Sequence, residues 1–84
     1  MKDIGTVERF PEDLKSDHPL GREFQLHWSD EEGNLHVGSF EITQAQDFPG
    51  EIYLRGQYTA RGSAKRRALI VFKDRDVPAI SFDE

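Results

Sequence analysis

The sequence predicts a small, mainly β protein: an antiparallel meander of five or six strands, or a small barrel, with one short helical turn. Its 84 residues suffice for one hydrophobic core. Five apolar residues run unbroken at Ala68–Phe72, which is typical of a strand covered on both faces. Elsewhere apolar and polar residues alternate between short polar segments. We therefore interpret residues 1–84 as a single β-rich domain.

The N-terminal quarter predicts one strand and one helical turn. Ile4–Phe10 is the first candidate strand, and Phe10–Leu14 contains a proline followed by two acids, as in the first turn of a helix. Asp17–Gly21 then ends the helix, because a residue that precedes proline is disfavoured in the α region.

A β-hairpin follows. Apolar and polar residues alternate as far as Trp28, a polar loop spans Ser29–Asn34, and the alternation resumes at Leu35. If Trp28 pairs with Leu35, both lie on the inner side and His27 faces His36 on the outer side.

The second strand of this hairpin changes phase near Gly38. Apolar residues before this glycine have one parity and those after it have the other, so we predict a β-bulge at Gly38–Ser39. Thr43–Gly50 is then expected to be a connection, with a helical turn at Gln44–Asp47.

Glu51–Thr59 is predicted as a strand with two unlike faces. Leu54 and Tyr58 share one face, and Tyr53 and Arg55 share the other.

The central strand, Arg66–Lys73, follows a loop at residues 60–65. After a turn at Asp74–Asp76, the last strand spans Val77–Phe82. Pro78 has no N–H to donate to a ladder, so we interpret this segment as an edge strand or a strand end.

Composition narrows the environment and the chemistry. The chain has no cysteine, so it offers neither a disulfide framework nor a thiolate zinc site. Residues 1–5 contain no apolar h-region, so we expect no signal peptide, and no stretch approaches the roughly 20 apolar residues needed for a membrane span. We expect a cytoplasmic protein that does not enter a membrane.

The net charge of −5 conceals an asymmetry. Residues 1–54 hold 12 acids and 4 bases, a balance of −8, whereas residues 55–84 hold 7 bases and 4 acids, a balance of +3. An acidic protein with one basic region is poorly suited to general nucleic-acid binding but can orient on a partner of mixed charge.

The basic segment 55–67 is the main candidate for a binding surface. Basic side chains beside aromatic ones suit protein hot spots as well as phosphate contact and base stacking. A hairpin tip whose charges are simply solvated is the structural alternative. The predicted partner-binding residues are Tyr53, Arg55, Tyr58, Arg61, Lys65, Arg66 and Arg67.

The two histidines of the hairpin are the candidates for a metal pair. Cross-strand neighbours are close enough to share an ion, but no ligand motif accompanies His27 and His36, and surface histidines need no special role. We predict no metal site and no cofactor. Protonation of both histidines below about pH 6 would make them repel each other.

Catalysis is not expected. The histidines have no nucleophile at a diagnostic spacing, and the carboxylates fall mostly in predicted loops. A small sheet also leaves little room for a closed pocket.

We predict a small non-catalytic protein-interaction module: an inhibitor, immunity or accessory protein of bacterial or phage origin that docks on a larger partner. It is expected to be a monomer, or a weak homodimer through an edge strand.

The alternative is a small nucleic-acid-binding barrel, similar to an oligonucleotide-binding fold, that uses the basic segment 55–67. Gly5–Phe10 resembles the opening strand of cold-shock domains over six residues, whereas Phe24–Trp28 lacks the aromatic and basic pattern that this family carries on its next strands.

Overall fold

The computed structural model describes residues 4–73 and 77–82, which form a closed barrel of six antiparallel strands. Each strand pairs with the next along the chain, and the last also pairs with the first. The predicted β meander is therefore confirmed, in its closed form. The strands are β1 (Ile4–Arg9), β2 (Glu23–Asp30), β3 (Leu35–Phe48), β4 (Glu51–Ala60), β5 (Lys65–Lys73) and β6 (Ala79–Phe82).

The core fills the inside of the barrel. Alternate residues of each strand point inward, and every buried side chain in the described ranges belongs to an apolar or aromatic residue. On β5, Ile70 and Phe72 are buried, whereas Leu69 and Val71 on the outer side are half-buried. The prediction that this strand is covered on both faces was therefore wrong, because a barrel has only one inner face.

The predicted helical turn is confirmed as a 3-10 helix, Glu12–Lys15. Leu14 of this helix is fully buried. Phe10, which precedes the helix, packs edge-on against Phe72 with ring centroids 5.2 Å apart. Arg22 donates a hydrogen bond to Asp13 at 3.0 Å. The helix therefore closes one end of the barrel.

The predicted register of the β2–β3 hairpin was wrong by one residue. Trp28 lies opposite His36, and Ser29 lies opposite Leu35. His36 thus shares the inner parity of the fully buried Phe40, whereas His27 points outward, so the two histidines occupy opposite faces. The sequence predicted that two protonated histidines would repel each other across the strands. Histidines on opposite faces do not fit that prediction.

The β-bulge lies farther along β3 than predicted. Pairing of β2 with β3 runs without interruption past Gly38, and the register shift occurs between Ile42 and Gln44, where β3 pairs with β4. A Cβ atom at Gly56, opposite Ile42, would overlap the carbonyl oxygen of Glu41. Glycine at position 56 is therefore what allows the bulged strand to come so close.

β3 continues through the segment predicted as a connection. Phe48 pairs with Glu51 across the two-residue turn Pro49–Gly50, in which Gly50 has a φ of 78°. No helical turn exists at Gln44–Asp47, which lies within β3. Most of this extension is exposed, so backbone pairing rather than a buried face holds it, and apolar periodicity could not reveal it.

The last strand is not an edge. β6 pairs with both β5 and β1, and the carbonyl of Pro78 accepts a hydrogen bond from the N–H of Val7 at 2.8 Å. Pro78 precedes β6, consistent with the strand-end alternative. The predicted turn at Asp74–Asp76 lies outside the described residues.

Candidate binding site at the open end of the barrel

The two ends of the barrel differ. The 3-10 helix and the buried Leu14 close one end, beside a depression of about 160 Å³ that Lys15 and Phe72 help to line. The opposite end opens into a cleft of about 700 Å³, lined by residues from β1 to β5 and the turns between them. We call this cleft the mouth. A cleft of this size lies in the range that proteins use to bind ligands.

Two aromatic rings form the floor of the mouth, and two glycines make room for them. Trp28 lies over Gly5, where a Cβ atom would overlap the indole ring. Tyr58 lies over Gly38, where a Cβ atom would be 2.5 Å from both Cζ and Oη. Each ring thus crosses diagonally to a glycine on the neighbouring strand. Gly5 and Gly38 permit large aromatic side chains at the end of a narrow barrel.

Other rings hold the floor in place. His36 stacks on Trp28 with ring centroids 4.3 Å apart, and Phe82 packs against Trp28 and Tyr58 at 5.1 and 5.3 Å. The guanidinium of Arg66 lies 4.6 Å from the centre of the Phe82 ring, within the range of a cation–π contact. The floor is therefore a packed aromatic cluster with a cation beside it.

Two polar atoms of this cluster are buried without a hydrogen-bond partner among the described residues: Nε1 of Trp28 and Oη of Tyr58. Trp28 is 6% exposed and Tyr58 is 3% exposed. Burial of a donor without a partner costs about 1–3 kcal/mol. These two residues of the mouth therefore keep hydrogen-bonding capacity that the described fold does not use.

Asp30 organises the loop at one side of the mouth. Its Oδ2 accepts a hydrogen bond from Nε2 of His36 at 2.9 Å, and its Oδ1 accepts from the backbone N–H groups of Glu32 and Asn34, each at 2.9 Å. The hydrogen bond from His36, followed by those from the loop, lowers the pKa of Asp30 to about 2. The loop and the stacked histidine are thereby fixed together.

The edge of the mouth exposes apolar side chains. Ile4, Leu35 and Val37 are 48%, 62% and 40% exposed, and all three line the cleft. We call these three residues the rim. Exposed apolar side chains at the edge of an aromatic floor are of the kind that marks binding surfaces.

Opposite charges lie on the two sides of the mouth. Glu31 and Glu32 join Asp30 on the β2–β3 side, while Arg61 and Arg66 lie on the β4–β5 side. The acidic part of the sequence and its basic segment therefore both contribute charged side chains to this one cleft.

The structure divides the predicted binding residues into two groups. Tyr58, Arg61 and Arg66 line the mouth. Tyr53 and Arg55 do not line it: Tyr53 packs against Phe48 at 5.7 Å, and Arg55 is exposed. The other two predicted residues, Lys65 and Arg67, are exposed on β5 and are not lining residues.

Tyr58 lines the mouth from below. Its side chain points into the barrel and is 3% exposed. It shares this inner face with Leu54, as the predicted parity of the strand requires.

Sequence analysis missed the other half of the mouth. Trp28 was placed in the hairpin without a role, His36 was considered only for a metal pair or a pH response with His27, and Leu35 was assigned to the inner side. The signal that could have found them was the inward-pointing side chain of Phe40. If the strand has no bulge at Gly38, residues 36, 38 and 40 share one face, which makes His36 inner and Leu35 outer.

Within residues 4–73 and 77–82, no group of three or more His, Cys, Asp or Glu side chains is placed to hold a metal ion. In the same part of the chain, no helix is long and apolar enough to cross a membrane.

The fold and the site together define a closed six-stranded meander barrel with one plugged end and one open end. No protein-family model, curated protein sequence or solved structure matches the chain.

Proposed function

We propose that this protein is a non-catalytic protein-binding module and that its binding surface is the mouth of the barrel. The observation that carries the proposal is the exposed apolar rim of Ile4, Leu35 and Val37 around an aromatic floor. Stable protein interfaces combine a desolvated apolar or aromatic centre with a polar surround.

The charges beside the mouth support a polypeptide partner of mixed charge. Glu31 and Glu32 line the cleft from the β2–β3 turn and Arg61 lines it from the β4–β5 turn, so a partner with charges of both signs fits in one orientation better than in the reverse. Electrostatic complementarity of this kind governs orientation and association rate more than affinity.

The kind of protein proposed is an inhibitor, immunity or accessory protein that docks on a larger partner in the cytoplasm of a bacterium or in a phage-infected cell. The sequence is acidic and contains no cysteine, and the lack of cysteine suits a reducing compartment.

Nucleic acid is the weaker candidate. The basic segment 55–67 keeps its exposed cations, but Tyr58 is buried and offers no free ring for base stacking. The strand order is a meander closed between β6 and β1, whereas oligonucleotide-binding folds are five-stranded Greek-key barrels.

The experiment compares capture of cellular partners by the native protein and by a rim variant, Leu35→Ser/Val37→Ser. The matched control is Leu20→Ser/Phe48→Ser, which changes two residues that are 66% and 51% exposed and lie outside the mouth. We expect the rim variant to lose one discrete protein that the control retains. Calorimetry on the purified pair then measures the affinity of each variant.

A second arm repeats the capture after nuclease treatment and with Arg61, Lys65, Arg66 and Arg67 all changed to Glu. Capture that disappears with nuclease and falls steeply with salt would indicate nucleic acid instead. Equal capture by the rim and control variants would show that the mouth is not the binding surface.

A further inference from the structure

We propose that the mouth receives the C-terminal residue of the partner chain, with its apolar side chain on the rim and its carboxylate at the floor. The inference rests on the proposed function and names the group that the partner contributes.

The geometry of the mouth favours a chain end over a continuous strand. The cleft stops at the aromatic floor, where Phe82 packs against both rings and is fully buried. A polypeptide can enter the cleft but cannot pass on through the barrel. The last residue of a chain fits that requirement and also brings two groups, a side chain and a carboxylate.

The unpartnered donors at the floor favour a carboxylate. Nε1 of Trp28 can only donate a hydrogen bond, and Oη of Tyr58 has a hydrogen to donate; neither has a partner among the described residues. A carboxylate supplies two acceptor oxygens and makes stronger hydrogen bonds than a neutral carbonyl does. The two oxygens of one carboxylate match these two donors in number.

The charges around the cleft indicate how the chain end lies. Arg61 lines the β4–β5 side and favours the carboxylate there, whereas Glu31 and Glu32 line the opposite side. Asp30 is already held by His36 and the loop N–H groups, so it stays with the loop. The apolar side chain then contacts Leu35 and the rest of the rim.

The test uses the full chain and three small probes. N-acetyl-leucine mimics an apolar chain end, N-acetyl-leucinamide has nearly the same shape without the charge, and 4-methylpentanoate is a free acid without the peptide group. Trp28 is the only tryptophan, so its fluorescence and the NMR signal of its Nε1–H report directly from the floor.

We expect N-acetyl-leucine to shift the Trp28 Nε1–H signal downfield in a saturable manner. The amide should bind at least about tenfold more weakly, because a charge-assisted hydrogen bond is replaced by a neutral one. 4-Methylpentanoate should bind more weakly than N-acetyl-leucine, because it lacks the peptide group.

Two variants separate the proposed contacts from general effects on the fold. Tyr58→Phe keeps the ring and removes the donor, and should weaken N-acetyl-leucine binding by about tenfold, whereas Tyr53→Phe on the outer face should not change it. Arg61→Gln should weaken binding severalfold and reduce its salt dependence, whereas Arg55→Gln should leave both unchanged.

Equal binding of acid and amide, or no shift of the Trp28 signal, would overturn the inference. Tighter binding of 4-methylpentanoate than of N-acetyl-leucine would also overturn it, by assigning the site to free organic acids. Neither result alters the rim-variant capture experiment, so failure of this inference is distinguishable from failure of the proposed function.

Discussion

Replacing Gly38 with alanine tests how the floor of the mouth is built. A Cβ atom at position 38 would lie 2.5 Å from Cζ and Oη of Tyr58 and 2.6 Å from the carbonyl oxygen of Thr59. The tyrosine ring is packed against Trp28 and Phe82, and the Thr59 oxygen belongs to the paired strand. Neither neighbour can move without disturbing the barrel.

The expected loss of stability follows from these contacts. Overpacking in a core costs typically about 1–3 kcal/mol, and we expect the upper part of that range because one of the two obstacles is backbone. An unfolding entropy of about 2.1 cal/mol/K per residue over 84 residues gives about 0.18 kcal/mol/K. A loss of about 2–3 kcal/mol should therefore lower Tm by about 11–17 °C.

The assay is urea unfolding followed by circular dichroism, with Gly33→Ala as the control. Gly33 has a φ of 87°, and a Cβ atom added there would have no atom within 4 Å beyond its chain neighbours. Its replacement therefore costs only backbone strain, about 1–2 kcal/mol. The double variant Gly38→Ala/Tyr58→Leu removes the ring from the clash. It should be more stable, by about 1 kcal/mol, than the sum of the single effects predicts.

Two results would refute this reasoning. The first is a loss in Gly38→Ala no larger than that in Gly33→Ala, which would mean that the added methyl group meets no real obstacle. The second is additivity of Gly38→Ala and Tyr58→Leu within about 0.5 kcal/mol, which would remove the ring as the cause.

Further predictions concern the loop at the mouth and the plugged end. The pKa of Asp30 is lowered from 3.8 to about 2, so its contacts stabilise the fold above about pH 4 and are lost as pH falls through 2. Over that range, the free energy of unfolding should drop more in the native protein than in Asp30→Asn. His36→Ala should raise the Asp30 midpoint in an NMR titration, because it removes the main hydrogen bond, while His27→Ala should not; an unmoved midpoint in His36→Ala would contradict the assignment. Leu14→Ala should lower the free energy of unfolding in urea by about 2–5 kcal/mol, because Leu14 is fully buried. The control Leu20→Ala, at an exposed position, should change it by less than about 0.5 kcal/mol. Equal losses would show that the helix does not plug the barrel.

The mouth could be predicted only in part from the sequence. Three of the seven predicted residues, Tyr58, Arg61 and Arg66, line the cleft on its β4–β5 side, and the other four do not. The opposite side was missed because Leu35 is apolar, which suggests a core position when no contact information is present. In the structure its side chain is 62% exposed.

The sequence by itself determined the class of fold, since a period of two in the apolar residues specifies strands with one buried face. The alternation ending at Trp28, the polar loop after it and the apolar run at Ala68–Phe72 are local patterns, and each corresponds to an observed strand or turn. Tertiary structure alone decided the register of β3 and the position of its bulge. A period of two says that faces alternate but not which face is inner, and where both parities carry apolar residues only closure of the barrel decides between them. The same closure brings Trp28, Tyr58 and Phe82 together from distant parts of the chain, so the floor of the mouth arises from packing that no local pattern encodes.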